Sequence, residues 1–126
     1  MIVESCTFAD LSPWIAPARR DRVAITDTIA TRWWRIAGAG CAGMISLPRG
    51  GVRLKALWIA PEHRGRGHGR ALIDHRLAVA LAEGAAWVEV YALRPEAYER
   101  RGFARMGVTG RGVVVLRRAP RQPLLF

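Results

Sequence analysis

The residues best suited to chemistry stand together at Ala60-Pro61-Glu62-His63-Arg64-Gly65-Arg66-Gly67-His68-Gly69-Arg70. Three glycines in five residues allow positive φ and a close backbone approach to a ligand. An apolar run, Ala56 to Ala60, leads in, and a helical pattern opening with Ala71-Leu72-Ile73 leads out. A helix N-terminus carries unpaired N–H groups and the positive end of the helix dipole. A glycine-rich turn feeding such a terminus is an anion site, and phosphate is the usual anion. Arg64, Arg66 and Arg70 add fixed positive charge. A tight turn that binds nothing would leave these cations facing a positive dipole end uncompensated.

Two phosphate loops do not fit. A nucleotide P-loop needs Gly, four residues, then Gly-Lys-Ser/Thr, and neither the lysine nor the hydroxyl is here. A dinucleotide turn needs Gly-x-Gly-x-x-Gly, whereas the spacing is Gly65-x-Gly67-x-Gly69.

The elements that must hold the loop follow from periodicity and punctuation. Ile2 to Phe8 predicts a first edge strand, and Ser12-Pro13 and Ala16-Pro17 break the chain after it. From Ala18 to about Arg32 the pattern is helical, with Val23, Ile25, Ile29 and Ala30 near one face. Trp33 to Ala37 and Cys41 to Leu47 read as strands of a hairpin turning at Gly38-Ala39-Gly40. After Pro48-Arg49-Gly50-Gly51, a third antiparallel strand, Val52 to Ala60, runs straight into the loop.

The helix leaving the loop spans about Gly69 to Glu83 and stops at Gly84. Ala86 to Ala92 is a strand, and the intervening helix makes it parallel to the strand at 52–60 by a right-handed crossover. Pro95 opens a short helix at about 95–101, which Gly102 ends. Phe103 to Val108 and Gly112 to Arg117 form a closing hairpin across Thr109-Gly110-Arg111. The tail, Ala119 to Phe126, suits docking on the body or on a second copy, and suits disorder equally.

Length and composition bound the rest. The chain has 126 residues, enough for one domain with a core and not for two. No apolar run approaches the ~20 residues of a membrane span. Met1 to Cys6 lacks the basic-then-apolar layout of a secretion signal. Cys6 and Cys41 form no metal-ligand spacing, and free thiols in a cytosolic protein are the expectation. The net charge is +10, and Lys55 is the only lysine among 20 basic residues. A polyphosphate ligand accounts for part of the excess. The remainder fits either a solvated basic surface or a polyanionic partner such as nucleic acid, and no long basic run decides between them.

Arg64-Gly65-Arg66-Gly67-His68-Gly69, preceded by Leu57-Trp58-Ile59-Ala60-Pro61-Glu62, resembles the acyl-CoA-binding motif of the GNAT superfamily of N-acetyltransferases. That motif is Arg/Gln-x-x-Gly-x-Gly/Ala between a strand and a helix. Ala97-Tyr98-Glu99-Arg100-Arg101-Gly102-Phe103 is similar to the family's second signature, an aromatic-Tyr-x-x-x-Gly-Phe segment. The resemblance covers about residues 30–118. It implies an α+β fold with a mixed, mostly antiparallel sheet of six or seven strands flanked by helices. One domain would occupy residues 1–118, followed by a tail over 119–126. It implies transfer of an acetyl group from acetyl-CoA, the acyl-donor substrate, to a primary amine in the cytoplasm, with no metal and no membrane.

By that resemblance, backbone N–H groups along Gly65, Arg66, Gly67, His68, Gly69, Arg70 and Ala71 hold the pyrophosphate of acetyl-CoA. Arg64 positions the loop or contacts phosphate. The strand edge at Leu57, Trp58 and Ile59 pairs with the pantetheine arm, and the splay towards the strand at 87–91 admits the thioester. Tyr98 matches the tyrosine that protonates the CoA thiolate, although the chain from Val90 to Tyr98 is shorter than the common pattern. The usual strand glutamate is missing from Val52-Arg53-Leu54-Lys55-Ala56. Glu89, on the face shared with Trp87 and Tyr91, is the remaining carboxylate for a general base, and solvated surface suits it equally. His63 and His68 read as anion contacts or exposed residues, and His75 as a half-buried helix residue. On the acceptor side, Asp21 and Asp27 suit an amine and Arg19, Arg20, Arg22 and Arg32 suit a polyanion; all also suit a wet helix face. A nucleic-acid amine as acceptor, a non-catalytic CoA-binding module and a homodimer remain open within this reading.

Overall fold

The computed structural model describes residues 1–28 and 30–120. Among them, seven strands form one sheet: β1 (Glu4–Cys6), β2 (Thr31–Ile36), β3 (Gly40–Ser46), β4 (Val52–Ile59), β5 (Val88–Ala92), β6 (Ala104–Val108) and β7 (Val114–Arg118). Three α-helices accompany them: α1 (Ile15–Arg20), α2 (His68–Ala82) and α3 (Glu96–Glu99). The order across the sheet is β1-β2-β3-β4-β5-β7-β6. β4 and β5 run parallel, and every other neighbouring pair is antiparallel. The α+β architecture is the one expected, with β7 placed inside β6 so that it closes on β5.

Strand alternation divides the apolar residues between two layers. Trp34, Ile36, Met44, Leu54, Val88, Val90 and Leu116 join Leu72 and Leu77 of α2 on one side of the sheet. Trp33, Cys41 and Trp58 join Leu11, Ala18 and Ile25 on the other. Adjacent Trp33 and Trp34 thus serve opposite layers. At the start of β3, just after the β2–β3 turn, Gly40 is required sterically, because a Cβ there would stand 2.4 Å from the Trp58 carbonyl oxygen of β4.

The helix expected over residues 18–32 does not form. A 3-10 turn, Phe8–Trp14, opens with reciprocal bonds between Thr7 and Asp10 and passes into α1, which is only six residues long. The chain leaves α1 through Arg22 at φ 66, and Val23 N–H returns to the Ala18 carbonyl at 2.9 Å. This left-handed exit ends the helix without a glycine. Val23, Ile25, Thr26 and Thr28 that follow are β-branched and resist a helix. Ile25 is buried nonetheless, from irregular chain. The expectation for Ile29 lies outside the described residues, as does that for the tail beyond Pro120. β1 and α3 are both shorter than their sequence spans implied, at three and four residues.

Candidate active site

β4 and β5 pair only through Val52–Val88, Arg53–Glu89 and Leu54–Val90. β4 then continues to Ile59 and β5 to Ala92 with no ladder between them, so the strands part. On its other edge β4 stays with β3, but the register shifts: Gly43 faces Lys55, whereas Cys41 faces Trp58. The extra residue on β4 is absorbed near Ala56, whose φ of 54 is left-handed. A non-glycine residue there costs roughly 1–2 kcal/mol. The parting leaves backbone N–H and C=O groups along the outer edge of Leu57, Trp58 and Ile59 without a strand partner.

That edge runs into the glycine loop. Gly65 has φ 75 and Gly67, the residue before α2, has φ 88. A Cβ on either would meet nothing within 4 Å, so conformation and not crowding demands glycine. No side chain caps α2, and its first turn holds no acidic residue. The opening N–H groups therefore face outward as donors. His68 Nδ1 is buried without a hydrogen-bond partner, and the His68 ring lies 5.4 Å from that of His63. A Cβ on Gly69 would stand 3.9 Å from Ile59 and 4.0 Å from Leu57, so the loop rests on these two side chains. Arg66 and Arg70 are exposed and form no ion pair among the described residues. The candidate residues Leu57, Ile59 and Gly65 to Ala71 thus come together around one anion-ready terminus beside one open strand edge.

Arg64 and Trp58 point elsewhere. Arg64 Nε donates to the Ile59 carbonyl at 2.9 Å and its Nη2 donates to Asp21 Oδ2 at 2.8 Å. The same oxygen accepts from Trp58 Nε1 at 2.9 Å. These two donors hold the Asp21 carboxyl below its ordinary value. The Trp58 ring is buried in the layer away from α2, 6.0 Å from Trp14, so only its backbone borders the splay. Asp21, which the sequence left between acceptor contact and wet surface, ties α1 to the loop.

Tyr98 is 6% exposed and packs edge-on to Phe103 at 5.7 Å. Its helix is bolted to α2: Arg101 pairs bidentately with Asp74, with Nη2 to Oδ2 at 3.1 Å, and its Nη1 donates to the Ala97 carbonyl at 2.7 Å. Glu89 is buried on the opposite face of the sheet. Its Oε2 accepts from Arg53 at 3.1 Å, its Oε1 accepts from Trp87 Nε1 at 3.1 Å, and Arg117 stands 3.8 Å away. Arg53 also lies over Tyr91, Arg117 over Trp87 and Lys55 over Trp33. Two cations, Arg53 and Arg117, thus flank one carboxylate beside the splay. Burial, and then Arg53, push the Lys55 ammonium below its usual range.

Sequence reasoning passed over Arg76, which is fully buried. The signal was an arginine within the apolar stripe Leu72, Ile73, Leu77, Ala80 of α2. Burial pushes the Cys41 thiol up to about 12 and the Cys6 thiol up to about 11, and neither is a nucleophile at neutral pH. Among the described residues no group of His, Cys, Asp and Glu side chains could hold a metal ion, and no helix is long and apolar enough to cross a membrane.

Residues 28–105 match the family model of the acetyltransferase (GNAT) domain. The chain belongs to the GNAT acetyltransferase family. Over 52 residues it is 42% identical to mycothiol acetyltransferase from Tsukamurella paurometabola, a match that covers 41% of this chain and 18% of that protein. Its fold is similar to that of ribosomal-protein-S18-alanine N-acetyltransferase from Escherichia coli, with a TM-score of 0.74 at 16% identity over 99% of each chain. It is similar also to N-acetylglutamate synthase from Neisseria gonorrhoeae complexed with coenzyme A and N-acetyl-glutamate. There the TM-score is 0.73 at 15% identity, covering 97% of this chain and 36% of that one.

Proposed function

We propose that the chain transfers an acetyl group from acetyl-CoA to a primary amine by direct attack, with Tyr98 protonating the CoA thiolate. One observation carries the reading: the uncapped N-terminus of α2, on left-handed Gly67, opens beside the stretch of β4 that has left β5. The backbone from Gly65 to Ala71 receives the pyrophosphate, and Arg66 and Arg70 supply unpaired charge. The edge at Leu57, Trp58 and Ile59 receives the amide-bearing arm, which sets the thioester between β4 and β5. Arg64 acts by holding the loop through Asp21 and Ile59.

The amine lone pair forms a C–N bond at the thioester carbon. The C–S bond then breaks, and sulfur leaves with its electron pair and takes the Tyr98 proton. Glu89 is the carboxylate proposed to receive the ammonium proton. Its oxygens already accept from Arg53 and Trp87, so the amine reaches it through water or by displacing one of these bonds. The cations Arg53, Lys55 and Arg117 on that face favour an acceptor that itself carries negative charge.

The same cations, with the net charge of +10, support a second reading in which the acceptor amine belongs to a nucleic acid. Duplex binding with a steep salt dependence supports that reading, and salt-independent or absent binding removes it. A homodimer through the exposed edge strand β6, with Met106 and Val108 outward, and a cytoplasmic site suited to two free thiols complete the proposal.

Titration calorimetry with acetyl-CoA, followed by thiol release across amino acids, polyamines, aminoglycosides, peptides and DNA, tests the reading. Micromolar binding and acceptor-dependent release are expected. No heat at millimolar acetyl-CoA overturns it, and binding without release for any acceptor favours a non-catalytic CoA-binding module.

A further inference from the structure

Arg53 and Glu89 face each other in the short ladder between β4 and β5, one step before it ends. Their neighbours Leu54 and Val90 point into the α2 layer, so alternation turns Arg53, Lys55, Glu89 and Tyr91 to the opposite face. Tyr91, the first residue of β5 past the ladder, is 48% exposed, so that face is open to solvent at the splay. Beyond Lys55, β4 enters the bulge at left-handed Ala56 and parts from β5.

The ion pair uses one carboxylate oxygen. Arg53 Nε donates to Glu89 Oε2 at 3.1 Å, and Nη2 stands 3.1 Å from the same atom. Arg32 and Arg105, by contrast, each spread two nitrogens over both oxygens of Glu83 and Glu99. Two parallel bonds to two oxygens are the stronger arrangement. Arg53 Nη1 has no hydrogen-bond partner among the described residues. The guanidinium carbon lies 4.7 Å from the centre of the Tyr91 ring, which leans the cation along β5 towards the splay. The Arg53 side chain is 34% exposed and that of Glu89 only 9%. Glu89 does not depend on Arg53 for its place, because Oε1 accepts from Trp87 Nε1 at 3.1 Å and Arg117 stands 3.8 Å away. A held, part-exposed guanidinium whose fork meets one oxygen is ready for a carboxylate that offers two.

We propose that Arg53 selects the acceptor and uncovers the base: an amino carboxylic acid draws the guanidinium off Glu89 Oε2 into a two-oxygen pair, and the freed Oε2 takes the ammonium proton. The lone pair left on nitrogen forms the C–N bond at the thioester carbon, the C–S bond breaks, and sulfur takes the Tyr98 proton. A neutral amine leaves Arg53 on Glu89 and meets a covered base. The slot already holds a carboxylate, which sets the acceptor's anion as one of the same kind. The inference rests on the reading of the chain as an acetyltransferase with Glu89 receiving the proton, and adds to it the selecting residue and the class of acceptor.

The test is thiol release from acetyl-CoA with amino carboxylic acids and their primary amides, in the parent chain and in Arg53→Gln, Arg53→Lys and Glu89→Gln. The amide is the less basic amine, so intrinsic reactivity at neutral pH favours it and the expected preference runs the other way. The parent is expected to favour the acid about tenfold in kcat/KM. Arg53→Gln is expected to lower kcat/KM for the acid by about 10- to 100-fold, to raise kcat for the amide, and to hold the acetyl-CoA dissociation constant within about threefold. Arg53→Lys keeps a charge without the fork and is expected to retain part of the preference. Glu89→Gln is expected to slow the acid about tenfold and the amide hardly at all, and to slow both equally once Arg53→Gln is also present. A parent preference for the amide, equal losses on acid and amide in Arg53→Gln, or an equal effect of Glu89→Gln alone on both amines overturns the inference and leaves acetyl transfer standing. No release with any amine removes the transferase reading itself, and the inference with it.

Discussion

Asp21 and Arg64 meet at 2.8 Å across 43 positions of sequence, and the same Asp21 oxygen accepts from Trp58. The pair joins the end of α1, on one layer, to the glycine loop at the head of α2, on the other. It explains how an exposed loop with two left-handed glycines keeps one shape.

Asp21→Asn should loosen the loop and weaken acetyl-CoA binding several-fold by calorimetry. The acid side of the stability profile gives a sharper check. The native Asp21 carboxyl lies below its ordinary 3.8, so the folded state binds the proton less readily than the unfolded state. Its contribution is full above about pH 5 and is lost as pH falls through the native value. The gap in Tm between the parent and Asp21→Asn should therefore be constant from about pH 5 to 7 and close on further acidification. A gap that widens in acid rules out this role.

Gly67→Ala places a side chain where space is open and only the backbone objects. The strain of a φ of 88 should lower stability by roughly 1–2 kcal/mol, measured by denaturant unfolding. Relief of that strain draws the N–H groups of α2 out of line, so the acetyl-CoA dissociation constant should rise about tenfold. A variant with parental affinity would show that the loop conformation does not set the anion site.

Tyr98→Phe removes one hydroxyl and keeps the edge-on packing on Phe103. Turnover should fall about 100-fold, with acetyl-CoA affinity nearly unchanged, as expected when a group acts only in the transition state. A fall in affinity alone would make Tyr98 a packing residue.

The cations beside the splay predict acceptor preference. Lys55→Met should raise KM about tenfold for an amine carrying a carboxylate, leave its neutral amide analogue alone, and not alter KM for acetyl-CoA. Glu89→Gln should lower kcat/KM about tenfold by the same assay if the carboxylate takes the ammonium proton. Equal effects on acidic and neutral amines contradict the charge preference.

Local signals were enough for the loop and its frame. The hairpin turn at Gly38-Ala39-Gly40, the stop of α2 at Gly84 and the parallel crossover to β5 all follow from short-range chemistry, and all are present. The helix over 18–32 failed because apolar spacing alone cannot report a left-handed exit at Arg22, or that Ile25 finds burial from irregular chain. Glu89 was placed on the face of Trp87 by alternation, but its cationic partners, Arg53 of β4 and Arg117 of β7, come from other strands and were invisible to it.

The glycine spacing, the strand before it, the helix after it and Tyr98 downstream were determined by the sequence itself, because turn conformation and helix polarity are local properties of the backbone. Tertiary structure alone decided where β4 leaves β5, that Arg64 is turned to Asp21, and that Arg76 lies under the bulge. Each of these depends on a contact between residues far apart in the chain, and on burial, which sets the cost of every unmet donor.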